Sequence, residues 1–386
     1  MLHDVVIVGA GPVGATLALA LARDDLDVVA LDARASGASL RRDRSLALSH
    51  AARLVFERLG VWSDLVAMPQ AVTPILAIDV SERGGFGSAR LDAAEQGLPA
   101  LGYVASYRAL QSALDVALTH AGVSVEHGLT ATRVSATPSY ACVEGKRDTA
   151  AASFTCRLAA VADGGSDMVA GIVRHRHDYG RVALVARVWT HEAHGGVAFE
   201  RFTPEGPIAL LPEGDHFGLV WTTSPQEGET LVALPEREFL ETLTKRFGRH
   251  AGCFERVDER RSFPLVLEFV DRVVAERVVL LGNAAQALHP VAGQGLNLGI
   301  RDAWELAQEL LAAPRDEIGA VDQLAAYAKR RRIDRWAGVA FTHGLLRVFG
   351  NDYALLRWPR GLALTLLDAL PPLKRTFTRT MLFGLH

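Results

Sequence analysis

The stretch VVLLGNAAQALHPVAGQGLNLGIRDAWELAQELL, Val278 to Leu311, organises the reading of the whole chain. Its first residues, Val278 to Leu281, form a short apolar run that predicts a buried strand ending at Gly282. A loop with His289, Pro290, Gly293 and Gly295 follows. Beyond it Leu296, Ile300, Ala303, Leu306, Ala307, Leu310 and Leu311 recur at helical spacing and predict an amphipathic helix. Strand, glycine loop and helix start together bring free backbone N–H groups and a positive helix end to one point, which suits an anion or an electron-rich ring.

The N-terminus carries a matching unit, DVVIVGAGPVGATLALALAR from Asp4 and DLDVVALDAR from Asp25. Val5 to Val8 predict a buried parallel strand, Gly9, Gly11 and Gly14 a tight turn, and Ala15 to Arg23 a helix whose N-terminus faces a pyrophosphate. Val28 to Leu31 predict the second strand, with Asp32 at its end where an acidic residue takes ribose hydroxyls. A bare GxGxxG is weak evidence, but strand, helix, second strand and acid in register make a dinucleotide site. Its place at the N-terminus favours FAD over NAD.

GNAAQALHPVAGQGLNLGIRDA resembles the second flavin fingerprint of the class A flavin-dependent aromatic hydroxylases, most closely their ubiquinone-biosynthesis branch. The resemblance implies that Asn283 holds the ribityl chain and that the amides of Gly293, Gln294 and Gly295 lie against the flavin pyrimidine edge. Leu296 and Asn297 follow as cofactor-binding residues at the helix start. The common family form is GDAAH, so Asn283 and Gln286 depart from it; asparagine still hydrogen-bonds a hydroxyl, without the strength of a charged acceptor. In RRDRSLALS, Arg44 matches a family arginine near the flavin and its phosphates, and Gln111 falls where the family places a residue beside FAD. ADGGSDMVAG resembles the third fingerprint, with Asp163 as the cofactor contact. There Asp167 and Ala170 replace the usual serine and arginine, so the support that arginine gives is expected to be missing.

The resemblance further implies a fold and a reaction. The fold is α/β: an FAD-binding doubly wound, Rossmann-like domain interleaved with an antiparallel β-sheet substrate domain, then a C-terminal helical segment. In order, 1–71 belongs to the FAD-binding domain, 72–101 is a hairpin of the substrate domain, and 102–175 returns to the FAD-binding domain. Residues 176–270 form the substrate β-sheet, 271–325 the last part of the FAD-binding domain, and 326–386 the helical region. In the reaction, NAD(P)H or another electron donor reduces FAD, O2 adds at the flavin C4a, and the hydroperoxide passes oxygen to an activated phenol. The implied substrate is a polyprenylated phenol, with 2-polyprenyl-6-methoxyphenol the leading choice. Another ring position, another phenol, or a non-catalytic subunit whose flavin site has decayed are the alternatives. His289 and Pro290 lie in the loop that passes the flavin's reactive edge and are the catalytic candidates. Phe263 and Pro264 read as a pocket wall or as plain core, and His175, His177 and Tyr179 mark the domain crossing.

With 386 residues, 49% of them apolar, and a formal net charge of -3, the chain can build two real cores and offers no reason to expect nucleic acid as a partner. Cys142, Cys156 and Cys253 make neither a CxxC pair nor an even disulfide set, which suits a reducing cytoplasm. No metal-ligand spacing is present. The first strand begins within a few residues, leaving no room for a signal peptide, and no apolar run reaches the roughly 18 residues of a spanning helix. A cytoplasmic protein, at most peripheral to the inner membrane, is therefore expected. From Leu345 onward six basic residues stand against two acidic ones, among long apolar faces that include Leu355, Leu356, Trp358, Leu362, Leu366 and Leu367. That balance predicts a surface for anionic lipid or an acidic partner, and the resemblance implies a ubiquinone-biosynthesis complex as a candidate partner.

Overall fold

The computed structural model describes residues 1–22, 26–38, 43–85, 87–165, 167–288, 294–349 and 354–384, with backbone alone at 294, 339, 341–343, 345–349, 354–357 and 360. One sheet is built on the N-terminal strand Leu2–Val8, which lies between Ala150–Val161 and Val28–Asp32, parallel to both. Val278–Leu280 and Ser124–His127 extend it in parallel on either side. Successive side chains of these strands point to opposite faces. Val5, Ile7, Ala30, Leu158, Ala160 and Val279 enter one core, under the helices Pro12–Leu21, Tyr107–His120 and Gln294–Leu311. Val6, Val8, Val29, Leu31, Ala159, Val161 and Leu280 enter the other, which is covered largely by the antiparallel strands Leu129–Ala136 and Ala141–Arg147. Each fully buried aliphatic side chain contributes about 1.5–3 kcal/mol.

Among the described residues, the second sheet has eight strands. Arg174–Thr190 pairs antiparallel with Phe254–Val270 and with His216–Thr223, and Ile208–Glu213 and Val197–Phe202 continue outward. The hairpin Ala77–Glu82 and Ser88–Asp92 completes it through a parallel pairing with Val197–Phe202, so the sheet is mixed. Val72–Ile75, grouped with this hairpin on sequence grounds, pairs instead with Gly102–Ser106 in a small sheet that also holds Ser45–Ser49. Leu184, Ala186, Val188, Phe217, Leu219 and Trp221 pack on the helices Pro225–Ala233 and Glu236–Phe247. The intervening residues Ala183, Val185, Arg187, Gly218 and Val220 turn the other way, toward the first sheet. The short strand Gln286–Ala287, inside the second fingerprint, joins the edge of this sheet beside Glu268 and Phe269.

The helix Val321–Phe349 crosses the boundary drawn at 325 and packs on Gln294–Leu311 through a buried ionic cluster. Arg331, fully buried, donates from Nε to Asp302 at 2.8 Å and from Nη1 to Glu305 at 3.1 Å, and its Nη2 lies 2.9 Å from Asp334. The helix Ala354–Ala369 lies along Ser88–Asp92 so closely that a Cβ on Gly87 would stand 2.2 Å from the Gly361 carbonyl oxygen. The helix Pro371–Phe383 closes the cluster of Leu91, Ala93 and Leu101 with Leu382. Among the described residues, no helix is long and apolar enough to cross a membrane.

Candidate functional site

A cavity of about 900 Å³ lies between the two sheets. Its floor is the glycine turn Gly9–Val13, the strand end at Asp32, Asp163 and Gly164, and Asn283, Gly295 and Leu296. Its roof is the inward face of the second sheet, from Ala183 and Arg187 to Phe263, Pro264 and Leu265. The volume is that of a site for a large cofactor with a small substrate part, at the upper end of the usual range.

The glycines divide by what a side chain would meet. Gly9 holds φ +98°, and a Cβ on Gly14 would stand 1.9 Å from the Gly9 carbonyl oxygen, so these two serve the turn and its helix packing. A Cβ on Gly11 meets nothing within 4 Å, because it points into the cavity. The helix Pro12–Leu21 starts there with no side-chain cap and no acidic residue in its first turn, leaving its positive end open to an anion. Gly295 lies in the helix Gln294–Leu311 without positive φ, and a Cβ there would touch Leu288 at an ordinary 3.8 Å, so the fold itself does not demand glycine. These residues fit a dinucleotide: the floor offers a bare helix end and two glycines that the fold itself does not require.

Asp32 is buried and engaged. Arg34 donates to it from its backbone N at 2.9 Å and from Nε at 2.8 Å, and also reaches Asp115 at 3.2 Å. A carboxylate has about four acceptor sites, so this fork orients Asp32 and leaves acceptor capacity for the cavity. Gln111 sits behind the glycine turn rather than on the cavity wall, donating from Nε2 to the Ala10 carbonyl at 2.9 Å and to Asp115 at 2.8 Å. Arg44 lines the cavity with its guanidinium 4.5 Å from the centre of the Tyr107 ring. The neighbouring Asp43 was not singled out from sequence. Burial alone would raise its pKa, but hydrogen bonds from Ser106 and from the backbone of Arg108 and Arg44 hold it below the usual range. Asn297 clamps the strand Ser45–Ser49 to the helix, accepting from Ser49 N at 2.8 Å and donating to the Ala47 carbonyl at 2.8 Å.

The third fingerprint is braced by an arginine outside the motif. Although Ala170 replaces the usual arginine, Arg174 donates to Asp167 at 2.9 Å and to the Ala284 carbonyl at 3.1 Å, tying this turn to the second fingerprint. Asp163 accepts from Gly165 N at 3.2 Å at the cavity floor. His289, Pro290 and Gly293 lie outside the described residues, as does the Gln294 side chain. His175, His177 and Tyr179 lie on the ribbon between the sheets, ring against ring with Phe269 or each other and off the cavity. Burial pushes the Cys156 thiol up to about 12, which leaves it inert at neutral pH. Among the described residues, no group of three or more His, Cys, Asp or Glu is placed to hold a metal ion.

The family described as FAD binding domain matches residues 3–342. Ubiquinone hydroxylase UbiL of Rhodospirillum rubrum is 36% identical over 391 residues, covering 97% of this chain and 88% of that protein. The 3-demethoxyubiquinol 3-hydroxylase of Escherichia coli is 30% identical over 386 residues, covering 96% of each. The crystal structure of p-nitrophenol 4-monooxygenase PnpA from Pseudomonas putida superposes with a TM-score of 0.78 at 18% identity, over 98% of this chain and 97% of that one, a likeness of fold.

Proposed function

From the premise that the chain belongs to the FAD binding domain family and is an FAD-dependent monooxygenase, we propose that it hydroxylates a polyprenylated phenol in ubiquinone biosynthesis, with 2-polyprenyl-6-methoxyphenol as substrate. The observation that carries this reading is the shared cavity, with its anion-binding floor and a largely apolar roof at one place. Bound FAD, reduced by NAD(P)H or another donor, supplies the activation of O2. The chain's residues do the rest. Gly11 and the bare helix end would accept the pyrophosphate, the Arg34-oriented Asp32 would take ribose hydroxyls, and Asp163 and Asn283 would hold the ribityl chain. The start of the helix Gln294–Leu311 supports negative charge on the reduced ring through its positive end. Ala183, Val185, Val220 and Leu265, on the inward face of the roof, would keep water out of the cavity where the oxygen chemistry takes place.

The exposed stripe of Trp358, Leu362, Leu366, Leu370 and Leu373 supports collection of a greasy substrate at a membrane surface. Lys374, counted from sequence with the lipid-facing cations, is instead paired with Glu95 at 2.9 Å and Asp368 at 3.1 Å, so apolar contact carries more of the attraction than charge.

The test is to purify the protein with FAD, reduce it photochemically, and mix it with oxygenated buffer and short-chain 2-prenyl-6-methoxyphenol or short-chain demethoxyubiquinol. Mass spectrometry should find one added oxygen on the phenol. Product from the demethoxyubiquinol alone would move the substrate assignment, and a colourless protein that makes none would end the reading.

A further inference from the structure

Where the two sheets meet, a chain of proton-holding groups runs from the cavity to the surface. Ser45 lines the cavity beside Gly218 of the roof, and its hydroxyl donates to Glu213 Oε2. That same oxygen lies 3.5 Å from His216 Nε2, an ion-pair distance. His216 Nδ1 lies 3.1 Å from Asp215 Oδ1, whose side chain is 74% exposed, whereas those of Glu213 and His216 are only 14% and 13% exposed. Gly218 makes room for the meeting: a Cβ there would come within 3.3 Å of Glu213 Oε2 and 3.4 Å of Ser45 Oγ. The hairpin turn is pinned from both sides, Gly214 N donating to Thr73 Oγ1 at 2.8 Å and the Gly214 carbonyl oxygen lying 2.9 Å from His194 Nε2.

The charges around His216 come from three directions. Glu213 and Asp215 lie on its own hairpin, and Arg187 acts on both His216 and Glu213 from the neighbouring strand. The Trp189 ring stands 4.8 Å from the imidazole and carries the Arg256 guanidinium 3.5 Å from its centre. Burial would lower the His216 pKa, but the two carboxylates raise it above its ordinary value. Burial would raise that of Glu213, but the neighbouring His216 and the hydrogen bond from Ser45 hold it below. Both shifts favour the charged forms, a carboxylate facing an imidazolium.

We propose that Ser45, Glu213 and His216 form a proton relay that takes the hydroxyl proton of the bound phenol out of the cavity to solvent at Asp215. The inference rests on the phenol site proposed above. The phenol O–H bond breaks as its proton passes to Ser45 Oγ, while Ser45's own hydroxyl proton passes to the Glu213 carboxylate. His216, no longer facing an anion at Glu213, then releases its Nδ1 proton to Asp215 and water. One proton leaves, the phenolate stays, the relay keeps its net charge, and no electrons move. The phenolate is the form of the ring that attacks electrophilic oxygen.

The experiment uses the oxidised, FAD-loaded protein and short-chain 2-prenyl-6-methoxyphenol in lightly buffered solution near neutral pH. Binding is followed through the flavin spectrum, and proton release through an indicator dye. The wild type should release a proton as the phenol binds. Glu213→Gln keeps an acceptor for Ser45 but cannot take a proton, so at equal occupancy its release should be at least about tenfold slower, a conservative share of what positioned proton transfer contributes. In single turnovers of the photoreduced protein, the variant's hydroxylation should fall by a similar factor and recover above pH ~10, where a phenol ionises unaided. Ser45→Ala, which opens the first link and leaves the hairpin's own residues unchanged, should behave alike and serves if the glutamine variant does not fold. Proton release and a pH profile like the wild type's in variants that bind the phenol would overturn the relay and leave the phenol site standing. A wild-type protein that does not bind the phenol would overturn both.

Discussion

Replacing Gly11 and Gly14 by alanine, one at a time, should separate what the fold needs from what the cofactor needs. At Gly14 the new Cβ would stand 1.9 Å from the Gly9 carbonyl oxygen. Ordinary heavy-atom contact begins near 3.5 Å, so the helix must move away from the strand by about 1.5 Å. Overpacking of this kind costs about 1–3 kcal/mol where side chains can yield. Here backbone meets backbone, so at least about 3 kcal/mol is expected. At Gly11 the Cβ meets nothing within 4 Å, and the residue's φ of -68° suits any amino acid. Gly11→Ala should therefore leave the cofactor-free protein as stable as the wild type, or stabilise it by up to about 1 kcal/mol through the unfolded chain.

The added methyl fills the space that the pyrophosphate must enter, so flavin affinity should drop at least about tenfold, which is ~1.4 kcal/mol. Flavin-to-protein ratios after desalting, with urea melts of the cofactor-free forms, read the two effects independently. Gly14→Ala should lose stability and colour together, Gly11→Ala colour alone. Full flavin affinity in Gly11→Ala, or wild-type stability in Gly14→Ala, would refute the division.

Gly295→Val should fold normally, since its Cβ would meet only Leu288 at 3.8 Å, yet lose flavin or hydroxylation; a normal turnover of phenol would remove Gly295 from the flavin. Arg331→Met breaks a fully buried ion pair and should cost about 3–5 kcal/mol in urea melts. Burial raises the Asp302 pKa in the folded state against the pull of Arg331 and its neighbours, so the folded form binds the extra proton, and the variant's loss should shrink as pH falls from 7 toward 5; a loss that grows instead contradicts the burial argument. Arg174→Ala should remove a charged hydrogen bond worth about 1.5–3 kcal/mol and weaken FAD binding more than it lowers stability, as titration with FAD would show. Trp358→Glu with Leu362→Glu should abolish sedimentation with anionic vesicles and leave the flavin spectrum intact. Point changes are needed because truncation would strip Leu382 from the cluster at Leu91 and Leu101; unchanged sedimentation makes the stripe structural.

Local patterns carried much of this organisation. The apolar runs at Val5 and Val278 are buried on both faces, so they read as parallel strands wherever they stand, and the helix register after Gly295 follows from spacing alone. The second cover of the first sheet was illegible because Leu129–Ala136 buries only two of its positions fully and shows weak alternation. The relay was illegible for a different reason. Ser45 and Glu213 are 168 residues apart, and each is an ordinary polar residue until the small sheet and the second sheet meet at Gly218. Arg34 had a local signal, a cation two residues beyond the strand-end acid. The pairing of Lys374 had none, since Glu95 lies on another part of the chain.

The departures at the second and third fingerprints are built into the fold rather than scattered as damage. Gln286 is buried and doubly used, accepting from Arg335 Nε at 2.8 Å and donating to Asp302 at 3.3 Å, so the short strand Gln286–Ala287 is held by the cluster around Arg331. Loss of the arginine at position 170 is matched by Arg174, whose reach of 110 residues to Ala284 joins the two fingerprints. A site decaying in a non-catalytic subunit has no reason to place a buried amide and a bridging guanidinium where they brace the floor of the cavity. Nor has it reason to keep Gly11 and Gly295, where a side chain would cost the fold nothing. What the fold does not need and the cavity does is the mark of a site in use.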